Sequence, residues 1–120
     1  MEVTNAWARA TPPGVTTGAV YLVIHNRGPQ TDTLLSASTA GAARVEMHLS
    51  ALVGGVMRMR AKETIAIDAG HTVRFEPGGL HFMLLDLKAP LRVGDRFPMT
   101  LQFSRAGSVS VEVHVHGVAK

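Results

Sequence analysis

Turn signals interrupt this chain at short, regular intervals, and nothing longer than a strand fits between them. They are Pro12-Pro13-Gly14, Asn26-Arg27-Gly28-Pro29, Gly54-Gly55, Asp68-Ala69-Gly70, Pro77-Gly78-Gly79, Gly94-Asp95 and Ala106-Gly107. The segments between them are rich in β-branched and apolar residues. They read AVYLVIHN (19–26), RVEMHLS (44–50), VMRMRA (56–61), ETIAID (63–68), HTVRFE (71–76), LHFMLLDL (80–87), FPMTLQFS (97–104) and SVSVEVHVH (108–116). No window long enough for a stable helix keeps an apolar stripe of period 3.6 free of Gly or Pro. Many short strands joined by regular turns predict an all-β chain, a Greek-key β-barrel or sandwich. A chain of 120 residues is sized for one domain, here spanning 1–120, with a packed core.

Period-two alternation then sorts the two faces of each strand. In LHFMLLDL, Leu80, Phe82 and Leu84 form the core face, and His81, Met83 and Leu85 lie on the other. Val45, Met47 and Leu49 point inward, which leaves Glu46, His48 and Ser50 on the polar face. In VMRMRA, Arg58 and Arg60 must face water, so Met57 and Met59 share the opposite face. Val111, Val113 and Val115 point inward, with Glu112, His114 and His116 outside. Trp7 and Tyr21, the single Trp and single Tyr, are expected to anchor the core.

Composition removes several functions. The chain has no cysteine, so it can build no disulfide, thiolate zinc site, cysteine nucleophile or blue-copper centre. Its formal net charge is +3, but the arginines are scattered and aromatics are only 5%. A nucleic-acid binder would need a basic cluster with stacking aromatics, so no nucleic-acid partner is expected. No apolar run reaches the roughly 20 residues of a membrane span. The start, MEVTNAWARA, lacks the basic end and apolar stretch of a signal peptide, which fits a cytoplasmic chain or a mature domain whose leader has been removed.

One constellation carries chemistry. His48, a methionine of the VMRMRA run, His81 and Met83 stand where a simple strand pattern requires neither imidazole nor thioether. Two imidazoles and two thioethers make a four-donor set. Thioether sulfur is soft and selects Cu(I), whereas Zn(II) takes thiolate, imidazole and carboxylate. Donors weaker than thiolate suit a protein that hands its metal on. Periodicity does not choose between Met57 and Met59. Read separately, any one of these methionines is a core gap-filler and any one of these histidines a surface residue.

The spacing runs His48, ten residues, Met59, twenty-one residues, His81, one residue, Met83. It resembles the motif of the PCuAC-type periplasmic copper(I) chaperones. AWARATPPGVTTGAVYLVIHNRG, GGVMRMR, EPGGLHFMLLDL and VGDRFPMTLQF are similar to that family's segments, so the likeness covers nearly the whole chain. The resemblance puts Met59, not Met57 or Met47, on the family's ligand position. It implies a cupredoxin-like β-barrel that binds one Cu(I) per chain through His48, Met59, His81 and Met83, without catalysis. It further implies delivery to the dinuclear copper centre of cytochrome c oxidase subunit II, often beside a thiol-disulfide partner that keeps the acceptor reduced. Such a protein works outside the cytoplasm, here as a monomeric mature domain.

Other classes are weaker. Six histidines and His114-Val115-His116 suggest a copper-zinc superoxide dismutase, but the histidines lack its clustered spacing. An immunoglobulin-like interaction module would leave the four residues incidental. Scavenging or storage needs the same ligands as delivery. His114 and His116 are candidates for a loose second site, although an ordinary solvent face with Glu112 as neighbour is the better explanation of them. Some family members carry a His- and Met-rich tail; this chain ends HVHGVAK.

Overall fold

The computed structural model describes residues 1–117; the final VAK lies outside them. Ten strands make up the architecture: β1 (Glu2–Arg9), β2 (Gly18–His25), β3 (Asp32–Ser38), β4 (Ala42–Val53), β5 (Val56–Lys62), β6 (Ile65–Ile67), β7 (Thr72–Phe75), β8 (Leu80–Leu87), β9 (Arg96–Phe103) and β10 (Gly107–His116). There is no helix among the described residues, and hence none long and apolar enough to cross a membrane. All eight runs read from the sequence are strands. They join in one continuous sheet of order β5-β4-β8-β7-β2-β1-β10-β9-β3-β6, with β8 also pairing β2. The sheet curls until β3 contacts β4. The connections from β2 to β3 and from β3 to β4 join strands that are not neighbours in the sheet order, in keeping with the Greek-key expectation.

The core lies inside this curl. Val20, Leu22 and Ile24 from β2 meet Phe82 and Leu84 from β8, Leu101 and Phe103 from β9, and Val113 from β10, all essentially inaccessible to water. Phe82 stacks on Phe75 with ring centroids 4.3 Å apart. This packing fixes the inward face of β8, so the face bearing His81 and Met83 must point outward. Trp7 departs from its expected core position. It is half-buried on the outer side of β1, between Tyr21 at 4.8 Å and the ring of His116 at 5.4 Å.

The β4–β5 hairpin turns through Gly54 and Gly55, both at positive φ (59° and 81°), where residues with a Cβ are strained. β8 reaches β4 only as far as the pair Leu49–Leu80, so beyond that point the hairpin is a two-stranded ribbon. Every residue of β5 is therefore exposed. Alternation correctly groups Met57 with Met59 and Arg58 with Arg60, but no layer covers either face.

Candidate metal centre

Strand register brings the sequence-predicted residues together. His48 on β4 is the direct cross-strand partner of His81 on β8, and Glu46 is the partner of Met83. On the other side of β4, Ser50 pairs with Met59, His48 with Ala61 and Leu52 with Met57. Directly paired residues share a face, as do residues two apart on one strand. His48, Met59, His81 and Met83 thus occupy one outer face of three adjacent strands. Met59 and Met83 are both diagonal neighbours of His48, at the separation of about 7–8 Å between Cα atoms that long side chains bridge. Met57 lies a further step along β5. Register thus sets Met59 nearer to His48 than Met57 is, a distinction that alternation does not make.

The two imidazoles are held differently. Their ring centroids are 5.7 Å apart and the planes tilt by 44°. His81 is buried, and its Nδ1 donates to the carbonyl of Gly79 at 3.1 Å. A carbonyl only accepts, so Nδ1 carries the proton and Nε2 keeps the lone pair. The Pro77–Gly79 turn supplies that carbonyl, which also accepts from the Ser50 amide, tying the turn to β4. His48 uses the other nitrogen: its Nε2 lies 3.0 Å from Oε1 of Glu46. Its Nδ1 is buried with no hydrogen-bond partner. The second carboxylate oxygen of Glu46 accepts from Nε of Arg44 at 3.0 Å. The hydrogen bond from His48, and then that from Arg44, hold the Glu46 carboxyl below its ordinary pKa, so it is anionic at neutral pH.

The thioethers differ in exposure. Met83 is half-buried beside His81, whereas Met59 is 55% exposed on the edge strand. Around Met59, the ribbon leaves Leu52, Val53, Val56 and Met57 open to solvent.

This face offers a metal two nitrogen lone pairs and two soft sulfurs. Among the described residues, no three His, Cys, Asp or Glu side chains gather closely enough to hold a metal ion. A site of three or more imidazoles and carboxylates, as a dismutase requires, is therefore not assembled among the described residues. Cu(I) is the ion that two imidazoles and two thioethers fit. The buried lone pair on His48 Nδ1 is also consistent with a missing electrophilic partner.

His114 and His116 line one shallow cleft with Trp7 and Glu112, but each ring already has a partner of its own. His114 Nε2 lies 3.4 Å from Glu112 Oε1, and the His116 ring stacks on Trp7 with the planes 13° apart. The sequence reading gave Glu46 no role. Its signal was the Glu-x-His spacing on one strand face, which sets a carboxylate beside an imidazole.

The family model for LpqE-like lipoproteins matches residues 1–115 of this chain. Lxx21020 of Leifsonia xyli subsp. xyli, named as a lipoprotein, is 34% identical over 96% of this chain and 69% of its own length. RP573 of Rickettsia prowazekii is 30% identical over 91% of this chain and 62% of its own, so the chain spans roughly two-thirds of these relatives. Among solved structures, the copper-bound PCuAC domain from PmoF2 aligns with a TM-score of 0.82 and 26% identity, covering 96% of this chain and 91% of that one. The solution structure of CuI-DR1885 from Deinococcus radiodurans aligns at 0.68 with 29% identity, covering 92% and 74%. The cupredoxin-like all-β expectation and the resemblance to PCuAC domains both hold.

Proposed function

Because this chain belongs to the LpqE-like family, we propose that it is a Cu(I)-binding metallochaperone of the PCuAC kind. The observation that carries the reading is the cross-strand pair His48–His81, flanked on the same face by Met83 and Met59. One Cu(I) per chain is the cargo, with these four side chains as its ligands. The imidazoles fix the ion's position, and the thioethers match its softness without a proton to lose. Release needs only ligand exchange, because no bond within the protein has to break. The acceptor is the dinuclear copper centre of cytochrome c oxidase subunit II, with a thiol-disulfide partner keeping its cysteines reduced. The work is binding and transfer rather than catalysis. A lipoprotein family is consistent with a location outside the cytoplasm.

The test is a titration of the apo protein with Cu(I) under reductant, followed through Met methyl and His ring signals by NMR. We expect saturation at one equivalent, with shifts at Met59, Met83, His48 and His81. Met47 and Met99, which are buried in the core, serve as internal controls and stay unshifted. A spectrum in which only His114 and His116 respond would exclude the four-ligand site. Copper that then fails to pass to an oxidase copper domain would point to storage instead of delivery.

A further inference from the structure

Glu46 stands outside the four-ligand set, yet it contacts the ring of one member. It lies two residues before His48 on the same face of β4, with Oε1 3.0 Å from His48 Nε2. A carboxylate only accepts, and a neutral imidazole has one N–H and one lone pair. The Nε2 proton is therefore committed to Glu46, which leaves the lone pair on Nδ1. That atom is one of only two buried side-chain nitrogens or oxygens without a partner among the described residues. Arg44 grips the other carboxylate oxygen at 3.0 Å, so Glu46 is held from both ends along one strand face. Its two oxygens are already engaged by N–H donors, and they are hard donors that Cu(I) disfavours. Glu46 is thus suited to orienting a ligand and unsuited to being one.

We propose that Glu46 is a positioning residue that fixes the His48 ring in its Nε2-protonated form and presents Nδ1 to the metal. This rests on the copper-binding reading above. The same logic gives His81 the opposite assignment, because its Nδ1 is committed to the Gly79 carbonyl and its Nε2 is left bare. The two imidazoles, facing each other across β4 and β8, then bind through different nitrogens. Carboxylate or carbonyl partners that set the tautomer of a ligating histidine change metal affinity by about 10–100-fold when removed.

The experiment is a long-range ¹H–¹⁵N correlation on the whole ¹⁵N-labelled chain in mildly alkaline buffer, without and with Cu(I), for wild type, Glu46→Ala and Glu46→Gln. In the apo wild type we expect His48 as the Nε2-H tautomer and His81 as the Nδ1-H tautomer. Cu(I) should shift Nδ1 of His48 and Nε2 of His81. Glu46→Ala should mix the His48 tautomers and weaken Cu(I) binding about 10–100-fold. Glu46→Gln, whose amide oxygen still accepts from Nε2, should recover much of that loss. A purely structural role for Glu46 would move the melting temperature and leave the tautomer alone. Cu(I) on Nε2 of His48, or an Ala variant with wild-type tautomer and affinity, overturns the proposal. Wild-type protein that takes up no Cu(I), while apo His48 still shows the Nε2-H form, instead overturns the copper reading and with it the ligand role.

Discussion

Among the four proposed donors, His81 and Met59 mark the extremes of what a donor side chain can cost this protein. His81 is buried and hydrogen-bonded to its own turn, so its ring is set before any metal arrives. Met59 is open to water and makes little packing contact. Met59→Leu should therefore change folding stability by less than about 0.5 kcal/mol, as surface substitutions usually do. Met83→Leu swaps side chains of similar volume at a half-buried position and should cost less than about 1.5 kcal/mol. Both should weaken Cu(I) binding sharply, because Leu brings no donor atom. Urea unfolding beside a competitive Cu(I) titration separates the two effects. Unchanged Cu(I) affinity in both variants would remove the methionines from the ligand set.

At the scale of elements, β8 and β5, which carry two and one of the proposed donors, belong to opposite stability regimes. β8 has partners on both edges and buries Phe82 and Leu84, whereas β5 pairs only with β4 and buries nothing. Amide hydrogen exchange should therefore run faster in β5 than in β8 of the apo protein, because exchange follows local burial and pairing. Equal protection would mean that the ribbon is held by something other than its ladder. Bulges explain which strands alternation could read. The runs that kept a clean period of two all became strands, β8 with its bounds at Leu80 and Leu87. β1 and β3 escaped because each contains a register shift. In β1 the shift falls between Thr4 and Trp7, around Asn5 at φ 54°, so its inward residues run Val3, Ala6, Ala8. In β3 it falls between Leu34 and Ser36, and the buried phase breaks after Leu34. One extra residue reverses the phase, and a pattern that depends on phase is lost. The candidate site was legible for the complementary reason. His48, His81 and Met83 lie on unbulged strands, so their faces could be read directly. What alternation lacked was register between strands, the fact that separates Met59 from Met57.

Across the whole molecule, closure depends on a few buried polar groups as well as on the core. Asp32, at the start of β3, accepts from the amides of Thr33, Arg105 and Ala106 at 2.8, 2.8 and 2.9 Å, fastening β3 to the β9–β10 turn. Burial acts to raise its pKa, but the three N–H donors, aided by the Arg105 charge, outweigh it and hold the carboxyl below 3.8. The unfolded chain therefore takes up this proton at a higher pH than the folded one. The stabilisation is present in full above about pH 4 and is lost as pH falls through the lowered folded value. Asp32→Asn, which sets an NH₂ against N–H donors, should cost about 1–3 kcal/mol at neutral pH and flatten the acid limb of the stability profile. Urea midpoints measured from neutral to acid pH check both, and an Asn variant with the wild-type acid limb would assign that limb to other carboxylates.

The exposed margin formed by β5 gives the proposed site a direction. Three of its donors sit on strands clasped from both sides, and the fourth rides on the fringe of the sheet. In the proposed transfer, a competing sulfur from an acceptor would meet that fringe first, because Met59 is the donor side chain with least around it. The remaining three donors keep the ion in place during the exchange. Such a site behaves as a hemilabile chelate, firm along one side and yielding along the other, with cargo passing over a single predetermined lip.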